Sequence, residues 1–332
     1  MKKLINLTMF DLLKGVAMLG VLFIHSLYFA DRTFGSLWYE RAAHTVLMPA
    51  FFMVSGYWLK KKQVGPGVKN SVDYLLKPLL MVLLIINVIG FVHRAVNGNI
   101  REWVDVFLLP SVLMLNKKGA RLGPLWFVLA LFWAWCLYYL AVQIKEEKWQ
   151  TAIAIACAFL GGALMPLRLP FQIAPGLIAF FFVYCGNLMK KKKLLEKKIH
   201  PLIYIVLLVC WGLVVYFGSM DFYSYDVKYG MGSVIGSMCG TFIMMKLFLY
   251  ANQPEWRLFD GLRWVGRHSM WIMCIHAVEG AVFPWKVLFR LVEQGTLLGT
   301  VVQFVLRTCF IIVACIVFQR WQMYRSRKQR EA

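Results

Sequence analysis

Apolar residues fall in long blocks along this chain, not at the two-residue period of half-buried strands. The run from Phe10 to Ala30 is almost continuously apolar, and at 1.5 Å per residue a helix of that length crosses a bilayer. Comparable blocks predict further helices at about 44–59, 77–92, 124–143, 151–165, 171–189, 201–219, 230–250, 269–287 and 297–318. Polar punctuation separates them. The stretch Asp31 to Arg41 reads as a loop around Gly35, and Gly65-Pro66-Gly67 marks a turn within 63–71. One block is ambiguous. Residues 103–115 are apolar but too short to span, contain Pro110 and are flanked by Arg101, Lys117 and Lys118, which predicts an interfacial or re-entrant segment.

The positions of the charges orient this pattern. Lys60-Lys61-Lys62 and Lys190-Lys191-Lys192-Lys193 are hard to translocate, whereas the acidic and aromatic loop Asp221-Phe222-Tyr223-Ser224-Tyr225-Asp226 suits the outside. Both termini are then cytoplasmic. Lys2 and Lys3 before the first block imitate a signal peptide, but Asp11 and Lys14 interrupt the run and no small-residue cleavage site ends it, so an uncleaved first helix is expected. The expected fold is an all-α polytopic integral membrane protein with about ten transmembrane helices. It forms one domain over 1–332, with a basic cytoplasmic tail at 321–332.

Composition agrees: 60% of the 332 residues are hydrophobic and 16% aromatic. The net charge of +21 gathers in short loops, so it implies membrane topology and no nucleic-acid partner. All eight cysteines lie in apolar segments without a Cys-x-x-Cys pair and indicate neither a disulfide framework nor a metal site.

Ionisable residues inside apolar helices are costly and usually mark a pathway or a reactive site. At about 100° per residue, Asp11, Lys14 and His25 share one face of the first helix, with Lys14 and His25 separated by roughly 16–17 Å of rise. Read singly, Asp11 and Lys14 form an ion pair at the membrane edge and His25 bonds a neighbouring helix; together they make a polar track. Three other patterns carry possible chemistry. Met48-Pro49-Ala50-Phe51-Phe52 leads to Ser55-Gly56-Tyr57, a kinked helix with a close-packing site; Pro124-Leu125-Trp126-Phe127 opens another helix; and His276 is followed at i+3 by Glu279. The last pair is either a satisfied interhelical contact or a polar lining opposite Lys14 and His25. Arg307, in the final helix, lies at the same expected depth as Glu279. The two are expected to pair beside His276, bracing a wall, unless Arg307 instead meets donor phosphates.

These residues, in this order, resemble the acyltransferase-3 superfamily of bacterial membrane O-acyltransferases. The specific element is Lys14 with ten residues before His25, supported by Asp11-x-x-Lys14-Gly15, Phe51-Phe52-x-x-Ser55-Gly56-Tyr57, Leu125-Trp126-Phe127 and Gly266-x-x-Ser269 leading to His276. The approach through Met48-Pro49 is most similar to the fucose 4-O-acetylase-like branch. The resemblance covers essentially the whole chain. It implies a single acyltransferase domain in a bacterial cell membrane, acyl-CoA (usually acetyl-CoA) as co-substrate and a sugar, glycolipid or polysaccharide hydroxyl as acceptor, with no bound cofactor and no metal. His25 stands where the family has its essential histidine, Lys14 where it has Arg or Lys, and Ser55, Gly56, Trp126 and His276 at frequently matching positions. Leu47 departs from the branch, which often has His directly before Met-Pro. After the basic tail no appended hydrolase-like domain of the kind some members carry is expected.

Physical reasoning fits that chemistry. Coenzyme A is a polyanion, so a cationic inner face at Lys14, Arg263 and Arg267 would attract its phosphates, while the extended pantetheine arm reaches His25. A neutral imidazole there accepts the acceptor's hydroxyl proton. Two rival readings are a flippase for a lipid-linked sugar, weakened by the absence of an internal repeat, and a non-catalytic partner in envelope assembly.

Overall fold

In the computed structural model, residues 7–29, 38–115, 123–252, 256–283, 285 and 297–331 are described. Lys2, Lys3, Gly35, Lys117 and Lys118 lie outside the described residues, as do the side chains beyond 325. The described chain is helical: α1 Leu7–Phe29, α2 Trp38–Trp58, α3 Val64–Val96, α4 over 100–113, α5 Trp126–Ala141, α6 Glu147–Leu164, α7 Ile173–Lys191, α8 Pro201–Phe217, α9 Met231–Ala251, α10 Leu258–Arg267, α11 Ser269–Val282 and α12 Leu297–Glu331. Among the described residues there is no strand, and seven helices are long and apolar enough to cross a membrane. Apolar stripes face outward, as on α3 at Leu80, Leu84, Val88 and Val92 and on α12 at Val301, Val305, Val313 and Val317. Water would not tolerate such faces; lipid does.

Two helices organise the packing. α1 buries residues on every side, including Phe10, Leu13, Ala17 and Leu22, because α2, α9, α10, α11 and α12 all pack on it. α7 is the second axis, covered by α2, α5 and α6. Glycine makes the tightest crossings possible. A Cβ on Gly56 of α2 would sit 1.9 Å from the Val183 carbonyl oxygen of α7, and one on Gly186 of α7 would sit 2.0 Å from that of Met53. Likewise a Cβ on Gly15 of α1 would lie 1.9 Å from Leu262 O of α10, and one on Gly266 would lie 1.7 Å from Asp11 O. Backbones therefore touch at both crossings, which fixes α1 and α2 against their neighbours.

Several sequence expectations are corrected. The 63–71 segment is not a loop: α3 begins at Val64, because Pro66 falls in the first turn, where its missing N–H is not needed. Gly67 lies against the Tyr139 ring, where a Cβ would be 2.4 Å from Cγ. Pro110 does not break α4 either. In both α3 and α4 a π turn, Val72–Leu76 and Val104–Leu108, immediately precedes the turn containing Pro78 or Pro110. The wider turn takes up the register change at the proline. The 103–115 stretch, expected to be interfacial or re-entrant, is thus helical and folded back along α3. Trp103 Nε1 donates to Asn87 O at 3.0 Å, Asn87 Nδ2 donates to Ser111 Oγ at 2.9 Å, and Arg94 pairs with Glu102 at 2.7 Å. α2 starts at Trp38, six residues before the apolar block, and α12 continues past Phe318 to Glu331, so the basic tail extends a helix. Apolar blocks end with hydrophobicity, whereas charged residues of good helix propensity let a helix run on. α11 stops earlier than expected, at Val282, because Phe283 is extended (ψ 132°) ahead of Pro284. α10 forms where the apolar pattern predicts only a basic loop.

Candidate active site

α1 and α2 run antiparallel, with Gly20 against Leu47, where a Cβ would meet the leucine side chain at 3.1 Å. Lys14 on α1 therefore shares its end of the pair with Ser55 and Trp58 on α2, and His25 shares its end with His44. Between them is a cavity of about 910 Å³. α2 contributes one helical face, His44, Leu47, Met48, Phe51, Ser55 and Trp58; α5 contributes Trp126, Phe127, Leu131, Trp135 and Tyr139. The lining is mainly apolar, and its polar groups are segregated. Lys14, Lys60, Lys62, Asn70 and Tyr74 lie toward one end, and His25, His44 and Asp221 toward the other.

At the cationic end, Lys14 Nζ is 3.1 Å from Asp11 Oδ1. Asp11 is buried beneath the α10 crossing, so the pair holds the ammonium at the cavity wall. Lys62 Nζ donates to Asn70 Oδ1 at 2.9 Å. Ser55 Oγ accepts from Trp135 Nε1 at 2.7 Å, which ties α2 to α5 across the cavity. Trp126, near the other end, stacks on Phe222 with centroids 5.7 Å apart, and Phe222 meets Phe52 edge to face at 5.8 Å. That aromatic cluster seats the 220–226 loop over the cavity.

Behind His25 lies a buried ionic network. Arg307 grips Glu279 with two parallel bonds, Nε to Oε1 at 2.6 Å and Nη2 to Oε2 at 3.0 Å, and Glu279 Oε2 is also 3.0 Å from His276 Nδ1. Arg307 Nη1 donates to the His25 carbonyl oxygen at 3.2 Å, and the His25 and His276 rings lie 5.0 Å apart at 63°. Charge-assisted, bidentate bonds of this kind fix geometry as well as contribute energy. The network holds the α1 backbone at His25 against α11 and α12.

The structure thus brings together Asp11, Lys14, His25, Ser55 and Trp126 in or beside one cavity, and it gathers His276, Glu279 and Arg307 behind it. The alternative in which Arg307 meets donor phosphates has no support, since Arg307 is 2% exposed and does not line the cavity. Gly56 lies at the α2–α7 crossing, not on the lining.

The two arginines named for the donor are elsewhere. Arg263 is spent on structure, with Nε and Nη2 on Asn252 Oδ1 at 3.2 and 3.0 Å and Nη1 on Asp260 at 2.9 Å, while Asn252 reaches Thr8 of α1 at 3.0 Å. Arg267 is exposed at the end of α10 and does not line the cavity. The cations that do accompany Lys14 are Lys60 and Lys62, directly after the cavity-lining face of α2. In the sequence that lysine run signals topology, and its place at the end of the α2 face is the clue that it lines the cavity. His44 is a further cavity residue that the motifs do not single out, although it lies three residues before Leu47 on the same face.

A family model described as an acyltransferase domain, that of acyltransferase-3, matches residues 8–320. No curated protein and no solved structure matches the chain.

Proposed function

The chain belongs to the acyltransferase-3 family, and from that premise we propose that this membrane acyltransferase moves an acyl group, usually acetyl, from cytoplasmic acyl-CoA to a hydroxyl of a cell-envelope sugar, glycolipid or polysaccharide. The single observation that carries the reading is one continuous cavity with cations at one end and His25 at the other. In the proposed orientation both termini are cytoplasmic in a bacterial plasma membrane. The seven long apolar helices are joined as spans by α2, α8 and α11, giving ten crossings.

Donor binding follows from charge and length. The phosphates of coenzyme A are drawn to Lys14, Lys60 and Lys62. The pantetheine arm then extends past Ser55, whose O–H donates to an arm amide, and presents the thioester near His25, roughly 16 Å along α1 from Lys14. The apolar lining excludes water and so protects the thioester from hydrolysis. Neutral His25 takes the proton as the acceptor oxygen bonds to the carbonyl carbon. When the tetrahedral species collapses, the C–S bond breaks and the protonated imidazole returns its proton to the departing thiolate. The buried Arg307–Glu279–His276 network positions His25 throughout.

The test uses membranes holding the full chain and acetyl-CoA labelled in the acetyl group. Label should enter a glycolipid or polysaccharide fraction with the wild type and not with His25→Ala. Equal labelling by His25→Ala would overturn the assignment of the base. Movement of a lipid-linked sugar without consumption of acetyl-CoA would replace acyl transfer with a flippase.

A further inference from the structure

Leu47 stands where the resembled branch often has a histidine, yet the cavity has a second imidazole one turn earlier on α2. His44 Nδ1 lies 3.8 Å from Asp221 Oδ1, and both residues line the cavity at the end occupied by His25. Asp221 belongs to a closed loop. Its backbone exchanges two hydrogen bonds with Asp226, at 2.8 and 2.9 Å, and its Oδ1 accepts from Tyr223 N at 2.9 Å and Ser224 N at 3.3 Å. The loop is anchored by Phe222 in the aromatic cluster and by Tyr225, whose hydroxyl accepts from buried Gln172 at 2.9 Å. The carboxylate is therefore held rigidly from behind. Among the described residues, no hydrogen-bond partner occupies Asp221 Oδ2 or His44 Nε2.

We propose that His44 and Asp221 form the acceptor subsite, binding hydroxyls of a sugar ring next to the one that is acylated. The assignment deepens the acyl-transfer reading and rests on it. Its chemistry is specific. A fixed carboxylate oxygen accepts from one ring hydroxyl, and an imidazole nitrogen either accepts from or donates to its neighbour, so together they match a vicinal pair. Trp126 and Tyr223 on the same part of the lining supply apolar faces for the C–H side of a pyranose. An aliphatic alcohol or a phosphate acceptor would leave the carboxylate without a donor, and a phosphate would be repelled by it. The pair binds and positions the acceptor, while His25 remains the base.

The experiment uses the purified full chain in detergent with labelled acetyl-CoA. The acceptors are a panel of p-nitrophenyl glycopyranosides, with and without a vicinal diol. Asp221→Asn keeps an oxygen for the two backbone amides, and His44→Gln keeps a polar side chain, so both variants should unfold at the wild-type temperature. Each should raise the KM for a diol-bearing glycoside about tenfold or more, as expected for loss of a hydrogen bond to a charged group, with the KM for acetyl-CoA unchanged. The same variants should lose discrimination against the deoxy analogue. If the wild type labels glycosides and both variants keep the acceptor KM, or if the acetyl-CoA KM rises equally, the subsite assignment alone falls. A wild type that labels none of them overturns the acyl-transfer reading and the subsite together.

Discussion

Removing either partner of the Arg307–Glu279 pair should be among the most damaging single changes in this protein. Arg307 and Glu279 are 2% and 4% exposed, and three hydrogen bonds of 2.6–3.0 Å join Glu279 to Arg307 and His276. Arg307→Met leaves a buried carboxylate facing only His276, and Glu279→Gln leaves a buried guanidinium bound to an uncharged amide. Breaking a buried pair in this way costs about 3–5 kcal/mol, a large share of the 5–15 kcal/mol or so that holds a typical domain folded. At roughly 2 °C per kcal/mol for a large chain, each single variant should unfold about 6–10 °C early. The assay is tryptophan fluorescence during heating of the detergent-purified protein.

The double variant Glu279→Gln, Arg307→Met makes the measurement decisive, because it removes both charges and leaves neither ion stranded. Its loss should be clearly smaller than the sum of the single losses. The charge swap Glu279→Arg, Arg307→Glu should similarly regain the expression lost in each single reversal. It should not regain activity, because a carboxylate at position 307 cannot donate to the His25 carbonyl as the guanidinium does. Additive single effects, within about 0.5 kcal/mol, would refute the coupling.

Further outcomes follow from the cavity. His25→Ala should lower acyl transfer about 10²–10⁴-fold while acyl-CoA still binds, and His25→Gln should not rescue it, which single-turnover kinetics with labelled acetyl-CoA will show. Lys14→Ala, Lys60→Ala and Lys62→Ala should each raise the KM for acyl-CoA, more at low salt than at high. Arg263→Ala should leave that KM alone and lower the thermal midpoint instead, since Arg263 serves Asn252 and Asp260. If Lys14 only neutralises Asp11, the double variant Asp11→Asn, Lys14→Met should match wild-type kinetics; a raised acyl-CoA KM is expected. Gly56→Leu should abolish folded protein, because its first side-chain carbon already falls 1.9 Å from the Val183 carbonyl.

The helical membrane architecture is legible in the sequence because apolar blocks of spanning length leave few alternatives, and the shared face of Asp11, Lys14 and His25 follows from helical geometry alone. Helix ends are less legible. Pro66 and Pro110 look like breakers in the sequence, but one falls in a first turn and the other follows a π turn. The amphipathic α10 escapes notice because it is too short and too charged to register as an apolar block, although its Gly266 makes the crossing that buries Asp11.

What periodicity cannot supply is the partner across a cavity. A helix face can be drawn from sequence, but which residues meet it depends on how helices cross, and glycines set several of those crossings here. The Gly56–Val183 and Gly186–Met53 contacts set α2 on α7, and the Gly15–Leu262 and Gly266–Asp11 contacts set α10 on α1. In the resulting packing Lys60 and Lys62 line the same cavity as Lys14, while Arg263 is bound to Asn252. The same geometry carries His44 to Asp221, 177 positions apart in the chain. The basic residues of 257–268 are prominent in the sequence, yet Arg263 and Arg267 do not line the cavity, whereas Lys60 and Lys62 at the end of α2 do. Close packing at residues with no side chain thus helps to set which charged residues reach the cavity.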